Sequence, residues 1–599
     1  MTDTNTRYAP TRRRLLRDAT LTSLGLIAAA CAPGTSGTTG TTTTGGGASA
    51  KGGEFHGGWP YVLAPQGHYN YFATNAILGG SIYMDTFLPA LGVYRWAENK
   101  WDYWLAESGK QTGDNFEVKL RSGIKWDDGK AFTSKDVATT FWVGRLAAYG
   151  IWNFIDKIET PDDLTVRFHF SKPTSLGERL ILRNTNGIKP DSIYGPLAKK
   201  AQDFYAGGGT NSTDAGKALI KEMNDFRPDK PSSVGPYKID PASVTAAQLT
   251  MVRNTGGLFA DKVNFDKVVI YQGETAEITP LVLNGDVDYA THGFPLATDK
   301  AFQDKGYRII RGPIFTGPAL YFNWETAPEF QDKRLRQAVA MAFNREEAGK
   351  IFYGTSARAP KYMAGFPDSL VPNWINAGDL SKLNAYAFDT AKADALMKDA
   401  GYAKGADGIY AKGGKALSFE FYFPSDFQDW AAAATYTSDA LNKFGIKITP
   451  RGAIRSTQLP DLNNGKFQIG MSPWGIGNPH PQQSLVRPFR EFNKDATGGG
   501  MKYPLTQTYS GGTINFDTLL DDAITGYDTA KQKDPITKIA LAFNELLPII
   551  PIYERLNNNP VNDKARVTGW KPEGAPIYTQ GGADNFAIVM LMDGTLHKV

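Results

Sequence analysis

The side chains that could carry covalent or metal chemistry are few in this 599-residue chain and badly spaced for it. Six histidines (His56, His68, His169, His292, His480 and His597) are scattered, and no His-Glu-x-x-His run exists to hold a metal. No Gly-x-Ser-x-Gly sets a serine on a sharp turn. Gly413-Gly414-Lys415-Ala416 imitates the end of a phosphate loop. Ile409 stands where its first glycine belongs, however, and Ala416 lacks the hydroxyl that Mg²⁺ needs. Asp127 and Asp128 are neighbours in a turn and point apart, whereas a hydrolytic carboxylate pair faces itself across about 5–9 Å. These residues predict no enzyme, no metal site and no cofactor. What the chain does hold is aromatic: 12 Trp, 27 Tyr and 33 Phe, which either fill a core or line a ligand surface.

The single cysteine, Cys31, excludes an internal disulfide and a four-cysteine zinc site. Its surroundings are an address. Arg12 and Arg13 belong to the basic run Thr11-Arg12-Arg13-Arg14-Leu15-Leu16-Arg17, a weakly apolar stretch follows, and Ala28-Ala29-Ala30 leads into Cys31. Basic start, short apolar middle and small-residue cleavage site make residues 1–31 a bacterial export signal. The paired arginines resemble the twin-arginine pattern, with Thr11 where Ser is usual; the general secretory route stays open. The stretch before Cys31 resembles a lipobox, with Ala28 in place of the common Leu. A diacylglycerol on Cys31 with an amide-linked chain would give durable anchorage, which one acyl chain does not. Residues 32–55, rich in Gly, Thr and Ser, read as a flexible tether with a reach of roughly 25 Å. The expected location is the outer face of the cell membrane, or the periplasm.

The net charge is +4, and the first 31 residues hold five arginines against two aspartates. The nearly neutral remainder argues against a nucleic-acid partner. No apolar run approaches the roughly 18–20 residues of a spanning helix.

The elements behind these residues are mixed. Phe116, Val118 and Leu120 alternate as a strand, turns follow at Ser122-Gly123 and Asp128-Gly129, and Thr133 with Asp136 has the spacing of a capping box. A strand is predicted over 319–324, and a helix from Asp332 carrying Leu335, Val339, Ala342 and Phe343. A second helix runs over 390–400 with Asp389 as N-cap and Gly401 beyond its end. Phe419, Phe421 and Phe423 alternate along another strand, residues 431–444 form a helix, and 446–448 lead into a strand. A helix after Asp534-Pro535 runs through Leu547, and 548–553 form a short apolar strand. No fixed-period repeat is visible.

Leu120-Arg121-Ser122-Gly123-Ile124-Lys125-Trp126-Asp127-Asp128-Gly129-Lys130-Ala131-Phe132-Thr133-Ser134-Lys135-Asp136-Val137 resembles the signature of family 5 extracellular solute-binding proteins of bacterial ABC importers. Members of that family take oligopeptides, dipeptides, nickel or oligosaccharides. Further similar blocks follow in the family's order: Gly235-Pro236-Tyr237, Leu283 to Asp288, Asn323 with Leu335-Arg336-Gln337-Ala338, Phe388-Asp389 through Gly401-Tyr402, and Leu547 to Tyr553. The resemblance covers about 55–599. It implies an α/β, three-lobed periplasmic-binding-protein fold of type II, cluster C-like, with mixed sheets and a hinge. Lobe I would be 56–83, 228–318 and 560–599, lobe II 84–227 and lobe III 319–559. A solute would lie between lobes I and III, and the partners would be separate ABC permease and ATPase subunits. The chain itself would act as a monomer held at the membrane through Cys31.

Within that resemblance, the Gly- and Pro-rich segment 471–481 is the expected ligand loop. Peptide-binding relatives carry an acid just after the tryptophan matching Trp474; here Gly475, Ile476, Gly477 and Asn478 follow. A buried ammonium without a counter-charge is costly, so an oligosaccharide is favoured over an oligopeptide. Sugar rings stack on aromatic faces and their hydroxyls pair with amides. Trp474, Tyr71 and Trp324 are the expected platforms, with Tyr69, Phe72, Trp152 and Trp430 behind them. Asn478, Asn323 and Asn70 are the expected hydroxyl partners, and Asn75 stands with them. The alternatives are a peptide receptor of the same family, a surface lipoprotein outside transport, and a glycan-active enzyme on the same scaffold.

Overall fold

The computed structural model describes residues 51–60, 67–183, 187–493, 499–563 and 565–599. The expected export signal, with Arg12, Arg13 and Cys31, lies outside the described residues, as does most of the tether. Residues from Ser49 to Val599 form one compact unit. No helix among the described residues is long and apolar enough to cross a membrane.

Three sheets organise the chain. Their strands, in chain order, are β1 (Glu54–Trp59), β2 (Ala106–Thr112), β3 (Asn115–Leu120), β4 (Ile155–Asp162), β5 (Thr165–Phe170), β6 (Tyr237–Ile239), β7 (Gln248–Arg253), β8 (Lys267–Gln272), β9 (Tyr289–Ala290), β10 (Arg308–Ile310), β11 (Gly317–Phe322), β12 (Ser418–Pro424), β13 (Lys447–Ala453), β14 (Ile469–Trp474), β15 (Ile549–Pro551) and β16 (Asn559–Val561). The first sheet has the order β10-β16-β9-β1-β8-β7-β6, the second β2-β3-β5-β4 and the third β13-β12-β14-β11-β15. The second is antiparallel throughout. The first and third are mixed: β1 runs parallel to β8 and β9, and β12 runs parallel to β13 and β14.

Local chemistry accounts for these elements. In β3 the side chains of Phe116, Val118 and Leu120 are buried, the period-2 pattern of a strand with one covered face. The Thr133 amide donates to the Asp136 carboxylate at 2.7 Å and opens the helix Ser134–Leu146. Asp389 accepts from the Lys392 amide and caps Thr390–Asp399, and Gly401 beyond it takes φ +86°. Two expectations shift. The strand expected over 319–324 occupies 317–322, so Asn323 and Trp324 lie past its end. The helix expected after Asp534-Pro535 starts earlier, at Thr529, with Asp528 as cap and Pro535 inside it. Pro535 forfeits one backbone bond there, and the buried face of Ile536, Ile539, Ala540 and Phe543 holds the turn nonetheless.

Two large clusters dominate the apolar interior, with smaller ones around Phe294 and Phe302 and around Tyr194 and Leu197. Sheets one and two share a continuous core that includes Phe55, Phe87, Phe116, Phe168, Met251 and Val561. Sheet three has its own, built on Leu320, Phe322, Phe421, Met471, Ile539 and Ile550. Three sheets therefore behave as two packed bodies, and the chain passes between them at Arg311–Thr316 and at Ile552–Asn558.

Candidate functional site

Strand direction locates the site. In sheet one, β1, β8 and β9 end at Trp59, Gln272 and Ala290. In sheet three, β12, β13 and β14 end at Pro424, Ala453 and Trp474. The two connecting segments leave β10 and β15 at those same ends, because β16 is antiparallel to β10 and β11 is antiparallel to β15. The carboxyl ends of both parallel sets therefore face one seam. In open α/β sheets the crevice beyond the carboxyl ends is where ligands bind, since strand ends deliver loops and helix N-termini there.

The connecting segments form a paired hinge. Arg555 N–H donates to the Thr316 carbonyl at 3.0 Å and Asn557 N–H to that of Gly312 at 2.7 Å, with a bridge between Pro313 and Leu556. Arg311 donates to Ser356 Oγ and Asp299, and Asn558 donates to the Phe294 carbonyl and to Asp299. Burial pushes the Asp299 carboxyl up to about 6, and Arg311 opposes this.

At the edge of sheet one stand Glu274, Thr291, His292 and Gly293. The ring of His292 is buried; its Nε2 donates to the Gly273 carbonyl at 2.6 Å, and its Nδ1 has no hydrogen-bond partner. Burial drives its pKa down to about 4. Opposite, Tyr353 donates to Asp429 at 2.9 Å and Tyr553 reaches the same oxygen at 3.3 Å. The Arg555 guanidinium lies 4.8 Å from the centre of the Tyr353 ring. Gly293 is what lets this group approach: a Cβ there would lie 2.6 Å from the Tyr353 hydroxyl and 3.0 Å from Arg555. Asp426, past the end of β12, accepts from the Arg455 amide at 2.8 Å. The Glu274 carboxyl is raised above its usual range by burial, then by Glu277 and by Asp426 across the seam. Phe427 and Trp430 meet edge-on at 5.5 Å beside these acids, and Phe427 is 40% exposed.

The six residues expected to meet the ligand fall in three places. Trp474 ends β14 at the seam, but its indole is 1% exposed and donates to the Tyr553 carbonyl at 3.0 Å. It braces the hinge and offers no open face. Asn478 is at the same edge, half-buried, and its side chain accepts from the His480 amide at 2.9 Å. Asn323 and Trp324 are at the opposite edge of sheet three: Gly317 pairs with Trp474 and Phe322 with Ile469, which separates the two ends of β11 by about 17 Å. There Asn323 donates to Gly465 and accepts from the Glu325 and Thr326 amides, and Trp324 packs on Tyr503 under Arg336. Asn70 is wholly buried, donating to Met223 and accepting from Phe72. Tyr71 beside it packs on Phe87, its hydroxyl buried without a partner. The structure thus keeps Trp474 and Asn478 at the seam and sets Asn323, Trp324, Asn70 and Tyr71 elsewhere, as packing and backbone-pairing groups. Of the secondary platforms, Trp430 is at the seam, whereas Trp152 packs at a tilt against Trp142 under Arg145.

Sequence reasoning missed Glu274, His292, Tyr353, Asp426, Asp429 and Arg555. A signal existed for some of them: the alternating phenylalanines of 419–423 end at Pro424, so the next residues had to emerge at a strand end. The parallel direction that aims that end at the seam is a long-range property and left no local mark. No group of three or more His, Cys, Asp or Glu able to hold a metal occurs among the described residues.

Comparison with known proteins agrees with this architecture. Residues 100–496 match the model of bacterial extracellular solute-binding proteins, family 5, middle region. A Brucella ovis protein provisionally named an ABC transporter peptide-binding protein is 25% identical over 417 residues, covering 68% of this chain and 70% of its own. The oligopeptide-binding protein AppA of Bacillus subtilis is 25% identical over 391 residues, covering 62% and 65%. Among solved structures, a periplasmic oligopeptide-binding protein of Thermotoga maritima with bound mannohexaose superposes with a TM-score of 0.66 at 20% identity, over 91% of this chain and 98% of that one. The chain belongs to the bacterial extracellular solute-binding proteins of family 5.

Proposed function

We propose that the protein captures an oligopeptide between the facing carboxyl ends of sheets one and three and presents it to a permease. Family membership already makes it the extracellular or periplasmic solute-binding component of an ABC importer, working with permease and ATPase subunits, and a binding protein rather than an enzyme. The observation that carries the peptide reading is the placement of acids. Glu274 on one body and Asp426 on the other stand at facing edges, close enough for Asp426 to add to the rise of the Glu274 carboxyl, with Asp429 one turn away. Like charges repel across the seam, and a ligand ammonium between them relieves that repulsion. The acid missing after Trp474 is thus supplied from other strands. The indoles of Trp474 and Trp324 are packed away, which removes the main stacking platforms of the sugar reading. The relatives named for peptides point the same way.

A second reading, oligosaccharide capture, keeps one observation in its favour: the Phe427–Trp430 pair presents an aromatic surface at the same edge. The mannohexaose on the Thermotoga neighbour belongs with it. In either case a ligand touching both bodies favours the closed arrangement, and the permease reads closure. Anchorage through a lipid on Cys31 and action as a monomer complete the proposal; intact mass of membrane-extracted protein and sedimentation test them.

Calorimetry with tri- to pentapeptides, their N-acetylated forms, and xylo- and cello-oligosaccharides decides the ligand class. Free-amine peptides are expected to bind, with acetylation or Asp426→Asn weakening them about tenfold or more. Binding of sugars with peptides silent would overturn the peptide reading and leave the family assignment standing.

A further inference from the structure

Outside the hinge, a pair of loops also joins the two bodies. The loop 173–175, between β5 and the helix Gly177–Leu182, lies antiparallel to the loop 524–526, between the helices Phe516–Asp522 and Thr529–Leu546. Thr174 and Thr525 form a β-bridge. Ser175 N–H donates to the Ile524 carbonyl at 3.2 Å, and Gly526 N–H to that of Pro173 at 2.9 Å. The Phe170 and Tyr527 rings meet edge-on at 5.9 Å beside it. This is a short strip of sheet between bodies whose main cores are separate.

The strip is wired to the seam. Gln532 donates from its amide nitrogen to the carbonyls of Thr525 and Gly526, at 3.2 and 3.3 Å. Its amide oxygen accepts from His480 Nε2 at 3.2 Å, and His480 Nδ1 accepts from the Gln482 amide at 3.3 Å. The polarity is consistent from end to end: a neutral His480 with its proton on Nε2 is what each partner requires. His480 closes the loop 475–480 that follows β14. Its amide donates to Asn478, its ring lies 4.4 Å from Trp374, and Trp374 donates to the Pro479 carbonyl. Both His480 and Gln532 are buried, so breaking either bond strands a polar atom away from water.

We infer that the 173–175/524–526 strip is a closure latch, and that His480 and Gln532 are positioning residues which tie its engagement to the conformation of the loop at the ligand seam. The hinge lets the bodies part; the latch holds them shut at a second point, and only when the seam loop has set Gln532 to hold the 525–526 carbonyls. The meaning of this coupling rests on the seam being the binding site. Its existence does not, and it is tested without ligand.

The test uses the full chain with Cys31→Ser and spin labels at Asp163→Cys and Lys533→Cys, exposed positions on either body. Pulsed dipolar spectroscopy reads the distance between them in unliganded protein. One short distance is expected in this background. Ser175→Pro, which deletes a latch donor, and Gln532→Glu, which keeps the shape but cannot donate to the carbonyls, are each expected to move most of the population to a longer distance. In Ser175→Pro, hydrogen exchange at the Gln482 amide on the other body is expected to speed up about tenfold or more. Unchanged distances in both folded variants would overturn the latch. Opened distances with unchanged exchange at Gln482 would overturn the coupling to the seam loop. Peptide and sugar binding can fail in every form of the protein without touching either outcome.

Discussion

The two edges that face each other across the seam are built from different materials. The edge of sheet one is rich in glycine: Gly57 and Gly58 precede Trp59 at the end of β1, and Gly273 and Gly293 follow β8 and β9. A Cβ at Gly57 would overlap the Tyr83 hydroxyl, and one at Gly58 would lie 3.1 Å from Ile278. The edge of sheet three is side chain: Asp426, Phe427, Asp429, Trp430 and Arg455 project from its strand ends. One edge is shaped for close approach, and the other carries most of the aromatic and charged side chains. Changes to the glycines of the first edge are therefore expected to alter closure whatever is bound, and changes to the acids and aromatic rings of either edge to alter which solute is preferred.

The sharpest break in this picture concerns Trp474, which belongs to the second edge by position but to the core by burial. Trp474→Ala is expected to cost about 3–5 kcal/mol of stability, as for other buried large-to-small changes, read by denaturant unfolding. An unchanged stability with lost ligand affinity would return Trp474 to the ligand surface.

Each edge also holds one buried histidine, His292 and His480, driven down to about 4 by burial. Unfolded histidine titrates near 6.5, so between those values the unfolded chain binds more protons. Stability is then complete above about 6.5 and falls as pH drops toward 4, by roughly 3 kcal/mol per histidine. Asp299, pushed up to about 6, acts in the opposite sense by favouring the fold at the acidic end. Melting temperature against pH is expected to fall on acidification, and His480→Asn is expected to flatten the slope. An equal slope in that variant would remove His480 from the account.

Gly293→Ala tests the first edge. The new Cβ meets Tyr353 and Arg555 across the seam, and overpacking of this kind costs about 1–3 kcal/mol. Because it is felt in the closed arrangement, calorimetry is expected to show roughly ten- to hundredfold weaker binding of any ligand, and the melting of the latched unliganded protein is expected to fall as well. Phe427→Ser should have the smallest effect on the fold, within about 0.5 kcal/mol for an exposed position. A change in relative preference between peptides and sugars would mark Phe427 as a selective contact; no change in either would confine selectivity to the acids.

Much of the fold was legible. The strand of Phe116, Val118 and Leu120, the Thr133 cap and the Asp389 cap each rest on neighbours within four residues, and all three appear where the pattern puts them. Pro535 misleads because a proline usually opens a helix, whereas here one buried face outweighs one lost bond. The site was less legible. Trp474 and Asn478 reached the seam because they follow a strand end. Trp324 and Asn70 were chosen by residue type, and type alone does not separate a stacking ring from a core ring, nor a ligand amide from one that caps a turn. The acids at 274 and 426 come together only through the direction of strands about 150 residues apart.

One consequence follows from the pairing of β10 with β16. Arg308 lies opposite Val561 and Ile310 opposite Asn559, so the chain departs from sheet one and returns to it between adjacent strands, about 5 Å apart. Everything between, including the whole of sheet three and the acids it carries, is a cassette spliced into what would otherwise be a hairpin. Recombination could exchange that cassette without disturbing the parent sheet, giving a lineage a way to acquire a new cargo in one genetic step. It also invites a laboratory graft in which a short turn joins 310 to 559 and the remaining body is asked to fold alone.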